Sequence, residues 1–451
     1  MRGSGPDLGG SLVFVTSLES TTVDARRLRA FAPLRRRDYR LLIAAVALSL
    51  FASGMWTVVM VFQVLALADS PTALSAVAAC FSGGLIAFAL VGGVAADRLS
   101  KRAILVTVQG ASLVAVAAVA VLGTAGALAL WHMAIASAVL GAGVAFFFPA
   151  YSAYLPSVLP AEELLAANGL EGALRPTLQQ ALGPAVAGMV VGAFVPATGA
   201  VVVAVGLAAS MVLLLFVRPL PASMSGSSTS APTGHSNVFA DLREGFAFTV
   251  RTPWLLWTLL FACLMVLVVM GPIEVLLPFL VRDNFANGER AFGLLLTAFG
   301  AGGAIGSLAV SAGRLPRRYL TAMVLCWGLG SVPFAVLGYT SSFWVMATAL
   351  FVVGLTDGAG MVIWGTLLQR RVPGELLGRV SSLDFFVSLA LMPVSVALAG
   401  PLATVVPVPV IFVVVGTVPL VLALVALTVG RMPADEIAHP LDVVERVDTR
   451  P

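Results

Sequence analysis

Two carboxylates stand inside long apolar stretches of the sequence, where a charged group is costly. Asp357 comes 13 residues after Trp344 and 13 residues before Arg370, which on a helix is about 20 Å from either boundary at a 1.5 Å rise. Glu274 comes eight residues before Arg282, or about 12 Å on the same rise. Ionisable groups inside a membrane usually belong to ion or proton pathways. Asp357 is therefore the first candidate for proton coupling, and Glu274 is the second.

Each carboxylate also has a plainer interpretation. Asp357 could be a polar packing residue that a neighbouring helix caps, and Glu274 could pair with Arg282 or reach interfacial water. Asp384 stands at the start of another apolar stretch, and it could be no more than a helix cap.

Aromatic, sulfur and amide side chains share one face of the first apolar stretch. Trp56 and Gln63 are seven residues apart, with Met60 between them. Such a stripe suits a broad amphipathic ligand, and it suits a lipid-facing or packing surface almost as well. The fifth stretch has a polar first half, which predicts either a cavity wall or polar contacts between helices; its polar residues are Arg175, Gln179 and Gln180.

The sequence lacks the motifs that nucleotide hydrolysis, metal binding or nucleophilic catalysis would need. The sequence has no phosphate-binding Gly-rich loop ending in Lys-Ser/Thr, no His/Cys/carboxylate cluster with metal-ligand spacing and no nucleophile with a matching base. We therefore expect no enzyme, no metal, no cofactor and no nucleic-acid partner. The three cysteines all fall in apolar stretches, and we predict no disulfide between them.

Composition determines what must position these residues. The chain of 451 residues is 59% hydrophobic and only 11% charged, with a mean hydropathy of +1.01, whereas soluble domains carry about 25% charged residues. Apolar stretches of about 20 residues match a helix across a bilayer. They do not alternate polar and apolar residues, which excludes a membrane barrel. The sequence predicts an all-α polytopic membrane protein.

Twelve membrane spans are predicted from the apolar stretches. Their ranges are 41–66, 73–95, 103–123, 127–150, 173–195, 198–217, 254–280, 291–312, 319–339, 343–367, 381–404 and 407–429. With both termini in the cytoplasm, Arg282 and Arg290 are the only basic residues on the outer side, which satisfies the positive-inside rule. We expect a multi-pass protein of the cell membrane.

The remaining segments divide the chain into parts. Residues 1–32 are predicted to be a disordered cytoplasmic terminus, followed by a six-helix half at 33–218. A cytoplasmic linker at 219–252 is rich in Ser, Pro and Gly at its start. It ends in an apolar stripe that indicates a short amphipathic helix. A second half covers 253–430, and 431–451 forms a cytoplasmic tail.

The two halves look like copies of one unit. Three landmarks recur at offsets of 216, 217 and 213 residues: the basic loop at Asp97 returns at Gly313, Gly141-Ala142-Gly143 returns as Gly358-Ala359-Gly360, and Leu159-Pro160 returns as Val372-Pro373. Each pair holds the same place in the topology. Duplicated halves around a midplane cavity are typical of alternating-access carriers.

The loop after the second span carries the most specific motif, which consists of Gly93, Asp97, Arg98, Lys101 and Arg102. A glycine permits close helix approach, an aspartate can face the positive end of a helix, and the basic residues can clamp acidic groups or lipid phosphates. This motif resembles the signature of the major facilitator superfamily, with Ser100 in place of a second glycine. The resemblance covers residues 33–430 and implies twelve helices in two pseudo-symmetric halves. It also implies that Asp97 latches the cytoplasmic face against span eleven near Arg379. The plain alternative is a charge cluster that only sets orientation.

A second motif resembles exporters within that family. Gly183, Pro184 and Gly188 match the tail of their Gly-Pro signature, although Gln179 replaces the upstream glycine. The alternative is an ordinary helix kink. Segments around Ser70-Pro71 and at 373–380 resemble the branch that contains the enterobactin exporter and macrolide and multidrug efflux carriers. The arginine that many proton-coupled exporters have in span four is absent from Ala134 to Leu140.

These features predict a secondary active transporter for proton-coupled efflux of amphipathic small molecules, such as drugs, macrolide-like compounds or siderophores. Its partners would be a small-molecule substrate, protons and the lipid bilayer, and we expect a monomer. An importer or facilitator of a polar nutrient is the first alternative, although it would need more polar cavity helices. A non-transporting membrane sensor or scaffold is the alternative of another class.

Overall fold

The structure, a computed structural model, describes residues 32–218, 238–313 and 315–441. Residues 1–31 of the predicted disordered terminus and most of the Ser/Pro/Gly linker lie outside these residues, as does the end of the tail. In the described part of the chain, regular structure is helical throughout. The bilayer explains this, because helices satisfy their backbone groups internally.

The first half contains six helical spans, numbered here α1 to α6. They are α1 (Arg37–Leu67), α2 (Pro71–Arg98), α3 (Lys101–Thr124), α4 (Leu130–Val158), α5 (161–193) and α6 (Pro196–Phe216). The α5 rod is an α-helix at Ala161–Leu174, a π-helix at Arg175–Leu182 and an α-helix again at Gly183–Ala193.

The second half contains α7 to α12. They are α7 (Pro253–Asn284), α8 (Gly288–Ala312), α9 (Tyr319–Leu337), α10 (Phe343–Arg371), α11 (374–405) and α12 (Val408–Val429). The α7 rod has its own π-helical segment at Pro272–Leu276. Two short helices flank this half, one at Val238–Arg251, where an amphipathic helix is predicted, and one at Met432–Ala438.

In the described part of the chain, eleven helices are long and apolar enough to cross a membrane. The α5 rod is not among them, because its centre is polar at Gln179 and Gln180. Its length and place nevertheless match the predicted fifth span. The all-α fold with pseudo-symmetric halves is confirmed.

Two spans begin earlier than the sequence predicted. The fifth starts at Ala161 rather than 173, and the eleventh starts at Gly374 rather than 381. The first turns of both helices are polar, so the apolar stretches from which the spans were predicted begin later than the helices do. The residue before each helix is a proline, Pro160 or Pro373, which cannot continue a preceding helix. The repeated proline landmark therefore marks two equivalent helix starts.

Glycine contacts show the internal symmetry. A Cβ at Gly141 of α4 would collide with a carbonyl oxygen of α2, and a Cβ at Gly358 of α10 would collide with one of α8. Two residues on, Gly143 faces Ser112 of α3, and Gly360 faces Trp327 of α9. The α2–α4 and α8–α10 pairs are thus equivalent close packings, as small residues permit in membranes.

The halves meet mainly through two helix pairs, α2 with the second part of α11 and α5 with α8. The Gly400 amide donates to Ser75 Oγ at 2.7 Å. A Cβ at Gly188 would stand 2.7 Å from the Glu289 carbonyl oxygen. These contacts lie near one end of the bundle, the end that also holds Asp69 and Arg282; we call it the Asp69 end.

The opposite end is held by charged caps, and we call it the Arg102 end. Arg102 donates from Nε to the Val217 carbonyl and from Nη2 to the Leu215 carbonyl, both at 2.9 Å, at the C-terminus of α6. In the second half the polarity is reversed, because Glu436 accepts from the first amides of α9, Leu320 at 2.8 Å and Thr321 at 3.1 Å. A cation at a helix C-terminus and an anion at an N-terminus each oppose the helix dipole favourably.

Candidate functional site

The larger of two cavities lies mainly within the first half and measures about 320 Å³. Residues of α1 to α6 line it, and Phe385 and Leu389 of α11 close it from the second half. Its walls are mostly aliphatic and aromatic, with Trp56, Phe147 and Phe148 as the largest rings. A concave, mostly apolar wall with a few polar groups is the usual form of a small-molecule site.

A row of hydroxyl and amide groups crosses this cavity. Ser49 Oγ donates to Gln109 Oε1 at 3.2 Å, and Gln109 Nε2 donates to the Leu207 carbonyl at 3.3 Å. One turn further along α1, Ser53 Oγ accepts from Gln179 Nε2 at 3.4 Å. The row links α1, α3, α5 and α6, and it offers both donors and acceptors to a ligand.

Arg175 opens the π-helical segment of α5 and lines the same cavity. Its guanidinium stacks over the Phe148 ring at 4.2 Å from the centroid. Nη2 lies 3.4 Å from Glu171 Oε1, one turn earlier. Isolated π-helical turns occur frequently at functional sites, and here the segment carries two cavity-lining residues, Arg175 and Gln179.

The predicted aromatic, sulfur and amide stripe of α1 does not act as one surface. Trp56 lines the larger cavity. Met60 is half-buried and packs against the apolar core, while Gln63 is 6% exposed with its carbonyl oxygen unpaired among the described residues. On α5, Gln179 lines the cavity, but the Gln180 backbone packs on Gly300 of α8. A cavity role for Met60, Gln63 and Gln180 therefore stays a prediction without a contact to support it.

The smaller cavity lies inside the second half and measures about 160 Å³. Residues of α7 to α10 line it, and Asp357 is its only charged lining residue in the part of the chain that the structure describes. The Trp327 side chain lines the same cavity as Asp357. Two hydroxyls in the wall already donate to main-chain carbonyls, Ser331 to Trp327 at 2.6 Å and Thr356 to Val353 at 3.0 Å.

The residues beside Asp357 explain how the carboxylate is placed. Gly354 and Gly358 pack directly on the carbonyl oxygens of Phe299 and Gly303 in α8. This close approach holds α10 against α8 and leaves Asp357 turned toward α9 and the cavity. The carboxylate is thereby surrounded by apolar side chains and one indole, so it has few groups to stabilise its charge.

Glu274 lies in the π-helical segment of α7 and is half-buried. No hydrogen bond or ion pair reaches it from the residues that the structure describes. The suggested partner, Arg282, is occupied elsewhere: it bonds Asp69 at 2.5 Å and Asp283 at 3.0 Å and lies near the Phe279 ring. The predicted Glu274–Arg282 pair is thus not formed.

A third carboxylate, Asp384, makes contacts that the sequence did not predict. Asp384 is not a helix cap, since α11 begins ten residues earlier at Gly374. It accepts from Trp364 Nε1 at 3.0 Å and from Ser388 Oγ at 3.2 Å. Its role as an acceptor within the second half depends on contacts that no local pattern reveals.

The structure describes the surroundings of only part of the loop motif. Gly93, Asp97 and Arg98 lie on the last turns of α2, and their side-chain surroundings are outside the described part of the structure. Lys101 is half-buried at the start of α3, and Arg102 caps α6. The latch between Asp97 and α11 stays a prediction, while Arg102 has a contact within its own half.

The Gly-Pro motif follows the π-helical segment of α5 directly. A Cβ at Gly183 would stand 2.8 Å from the Phe51 carbonyl oxygen of α1. Pro184 occupies the first turn of the following α-helix, where a missing N–H is tolerated. Gly188 packs on Gly293 of α8, so the motif contacts both halves.

The fold and the two cavities define a polytopic membrane carrier with two similar six-helix halves. Residues 41–392 match the family model of the Major Facilitator Superfamily. The chain belongs to this family, whose members transport small molecules across membranes.

Several proteins that the chain is similar to are exporters. The chain is 26% identical to macrolide efflux protein A of Streptococcus pyogenes, over 79% of this chain and 87% of that protein. It is 28% identical to the multidrug efflux pump Tap of Mycolicibacterium fortuitum, over 89% and 98%. It is 25% identical to the enterobactin exporter EntS of Escherichia coli, over 76% and 80%. The fold also matches the crystal structure of the nucleoside transporter NupG, with a TM-score of 0.59 at 14% identity over 89% of this chain and 98% of that one.

Proposed function

We propose that this protein exports amphipathic small molecules and couples export to proton entry through Asp357. One observation supports the coupling step: a single carboxylate lines an otherwise apolar cavity in the second half. A carboxyl group with little water around it can be neutral in one state of the carrier and ionised in another. Export rather than import is supported by the exporters named above.

The cavity walls fit amphipathic rather than highly polar substrates. The larger cavity combines aromatic rings with one short row of hydroxyl and amide groups, and the smaller is apolar except around Asp357. A nutrient importer, the alternative that the likeness to a nucleoside transporter raises, would need more hydrogen-bonding groups to replace the hydration of a polar solute. The other alternative, a membrane sensor, is less well supported, because ionisable residues inside a membrane usually belong to ion or proton pathways.

The sides of the membrane follow from the positive charges. Arg102 and most other basic residues belong to one end of the bundle, and Arg282 to the other. We place the Arg102 end in the cytoplasm by the positive-inside rule, with both termini there. The Asp69 end, where the halves meet, then faces outward, and the larger cavity is reached from the cytoplasm.

Uptake into everted membrane vesicles tests this function. Vesicles with the protein should accumulate a radiolabelled macrolide when respiration acidifies their interior, and a protonophore should abolish the accumulation. Vesicles from cells without the protein are the control. Accumulation in right-side-out vesicles instead would show import, and the absence of flux with any of a panel of macrolides, dyes and catecholate siderophores would favour a sensor.

A further inference from the structure

Arg175 is the only charged residue that lines the larger cavity in the part of the chain that the structure describes. Its guanidinium carbon lies 4.2 Å from the centroid of the Phe148 ring, which is within the range of a cation–π contact. The neighbouring polar row, with Gln109 and Gln179, carries no charge. The cavity therefore presents one cation beside apolar rings, whereas the smaller cavity presents one anion.

The present partner of Arg175 is weak. Glu171 reaches it through one oxygen at 3.4 Å, while the Arg175 side chain is 38% exposed. Pairs of this spacing on a partly exposed helix change an equilibrium by only about twofold. A guanidinium can bind a carboxylate through two parallel N–H bonds. A ligand carboxylate with that geometry would displace Glu171 at little cost.

We propose that the larger cavity binds acidic amphiphiles, in which a carboxylate or ionised phenol is attached to an aromatic or aliphatic body. The anion takes the place of Glu171 at Arg175, and the body lies beside Trp56, Phe147 and Phe385. This inference rests on the proposed export function, because it names the substrate class of that site. It predicts that Glu171 acts as a built-in competitor for the substrate anion.

Binding to the purified full-length protein in detergent tests the inference, with isothermal titration calorimetry as the readout. The matched probes are 2-naphthylacetate and its uncharged amide, 2-naphthylacetamide. We expect the acid to bind at least about tenfold more tightly than the amide, as a bidentate charged pair supplies. Arg175→Gln should remove this preference, and Arg175→Lys should keep part of it. Glu171→Gln should raise the affinity for the acid about twofold. The control Arg370→Gln removes the same charge from an exposed residue outside both cavities and should change nothing.

Equal affinities of the acid and the amide for the wild-type protein would overturn the inference, and so would a preference that survives Arg175→Gln. If Arg175→Gln does not fold, the wild-type comparison and the direction of the Glu171→Gln effect still decide the matter. Binding in detergent needs no gradient. An acid preference without vesicle transport would contradict the proposed export alone, whereas export of macrolides without an acid preference would contradict only this inference.

Discussion

Arg282 Nη1 lies 2.5 Å from Asp69 Oδ1, and this ion pair joins the α1–α2 loop of the first half to the end of α7 in the second. The two residues are 213 positions apart in sequence. The pair stands at the end of the bundle where the α2–α11 and α5–α8 contacts also bring the halves together. It is therefore placed to stabilise the state in which this end is closed.

Removing the pair should shift the carrier toward the state in which the Asp69 end is open. A partly exposed ion pair contributes about 0.2–1 kcal/mol, so Asp69→Asn should change the ratio of the two states by up to about fivefold. Nitroxide labels at Thr72→Cys and Asn287→Cys, on opposite halves, would report the distance by double electron–electron resonance. Asp283→Asn is the control, because Asp283 also bonds Arg282 but belongs to the same half. Identical distance distributions with and without Asp69→Asn would contradict a role in closure.

Close packing at Gly188 should be essential for the α5–α8 contact. A valine there would meet the Glu289 carbonyl and Gly293, and overpacking of this kind costs about 1–3 kcal/mol. Gly188→Val should lower the thermal stability of the purified protein and reduce transport. Gly172→Val on the same rod is the matched control, since a Cβ there meets nothing within 4 Å. Equal losses in both variants would mean that helix propensity, rather than the contact, is responsible.

Glu436 should stabilise the second half through the N-terminus of α9. The side chain is 1% exposed and accepts two backbone bonds and one from the Thr321 hydroxyl at 2.7 Å. Glu436→Gln weakens this cap, and we expect a loss of about 1–2 kcal/mol, seen as a lower melting temperature in detergent. Ile437→Ala, at a 67% exposed neighbour, should leave the melting temperature unchanged. A stable Glu436→Gln protein would show that the cap is dispensable.

Substitutions in the loop motif after α2 should distinguish residues needed for transport from residues needed for stability. Asp97→Asn should reduce transport while the protein stays as stable as the wild type, and Arg98→Ala should be milder if Lys101 and Arg102 share its work. Arg102→Ala should lower stability, because it removes two bonds to the end of α6. Transport by cells and thermal stability of the purified variants measure the two effects. Full transport by Asp97→Asn at normal expression would reduce the motif to an orientation signal.

Much of the fold followed from the sequence because apolar length and basic loops are local properties. The glycines that recur in spans four and ten correctly predicted equivalent positions, since a missing side chain permits the same close approach of helices in both halves. The predicted starts of α5 and α11 were wrong because each helix begins with polar turns, whereas the prediction relied on apolar residues. Pro160 and Pro373 were the available signal for both starts.

The candidate site was less predictable because its contacts join distant residues. Nothing near Glu274 indicated that Arg282 would bond Asp69 instead. Gln63 followed the same helical face as Trp56, yet helix packing buried it away from the cavity. The π-helical segments that carry Glu274 and Gln179 depend on backbone bonding that residue types alone do not specify.

The central claim is that Asp357 carries the coupling proton, and uptake by everted vesicles containing Asp357→Asn tests it most directly. The variant should lose all proton-driven accumulation of a neutral substrate but keep exchange of labelled for unlabelled substrate across the membrane, because its amide cannot exchange a proton. Asp357→Glu should retain partial accumulation with a shifted pH optimum, and Glu274→Gln should have a smaller effect than Asp357→Asn. Uphill accumulation by Asp357→Asn with an unchanged pH profile would contradict the claim and move the search for the coupling group to Glu274 or to another ion.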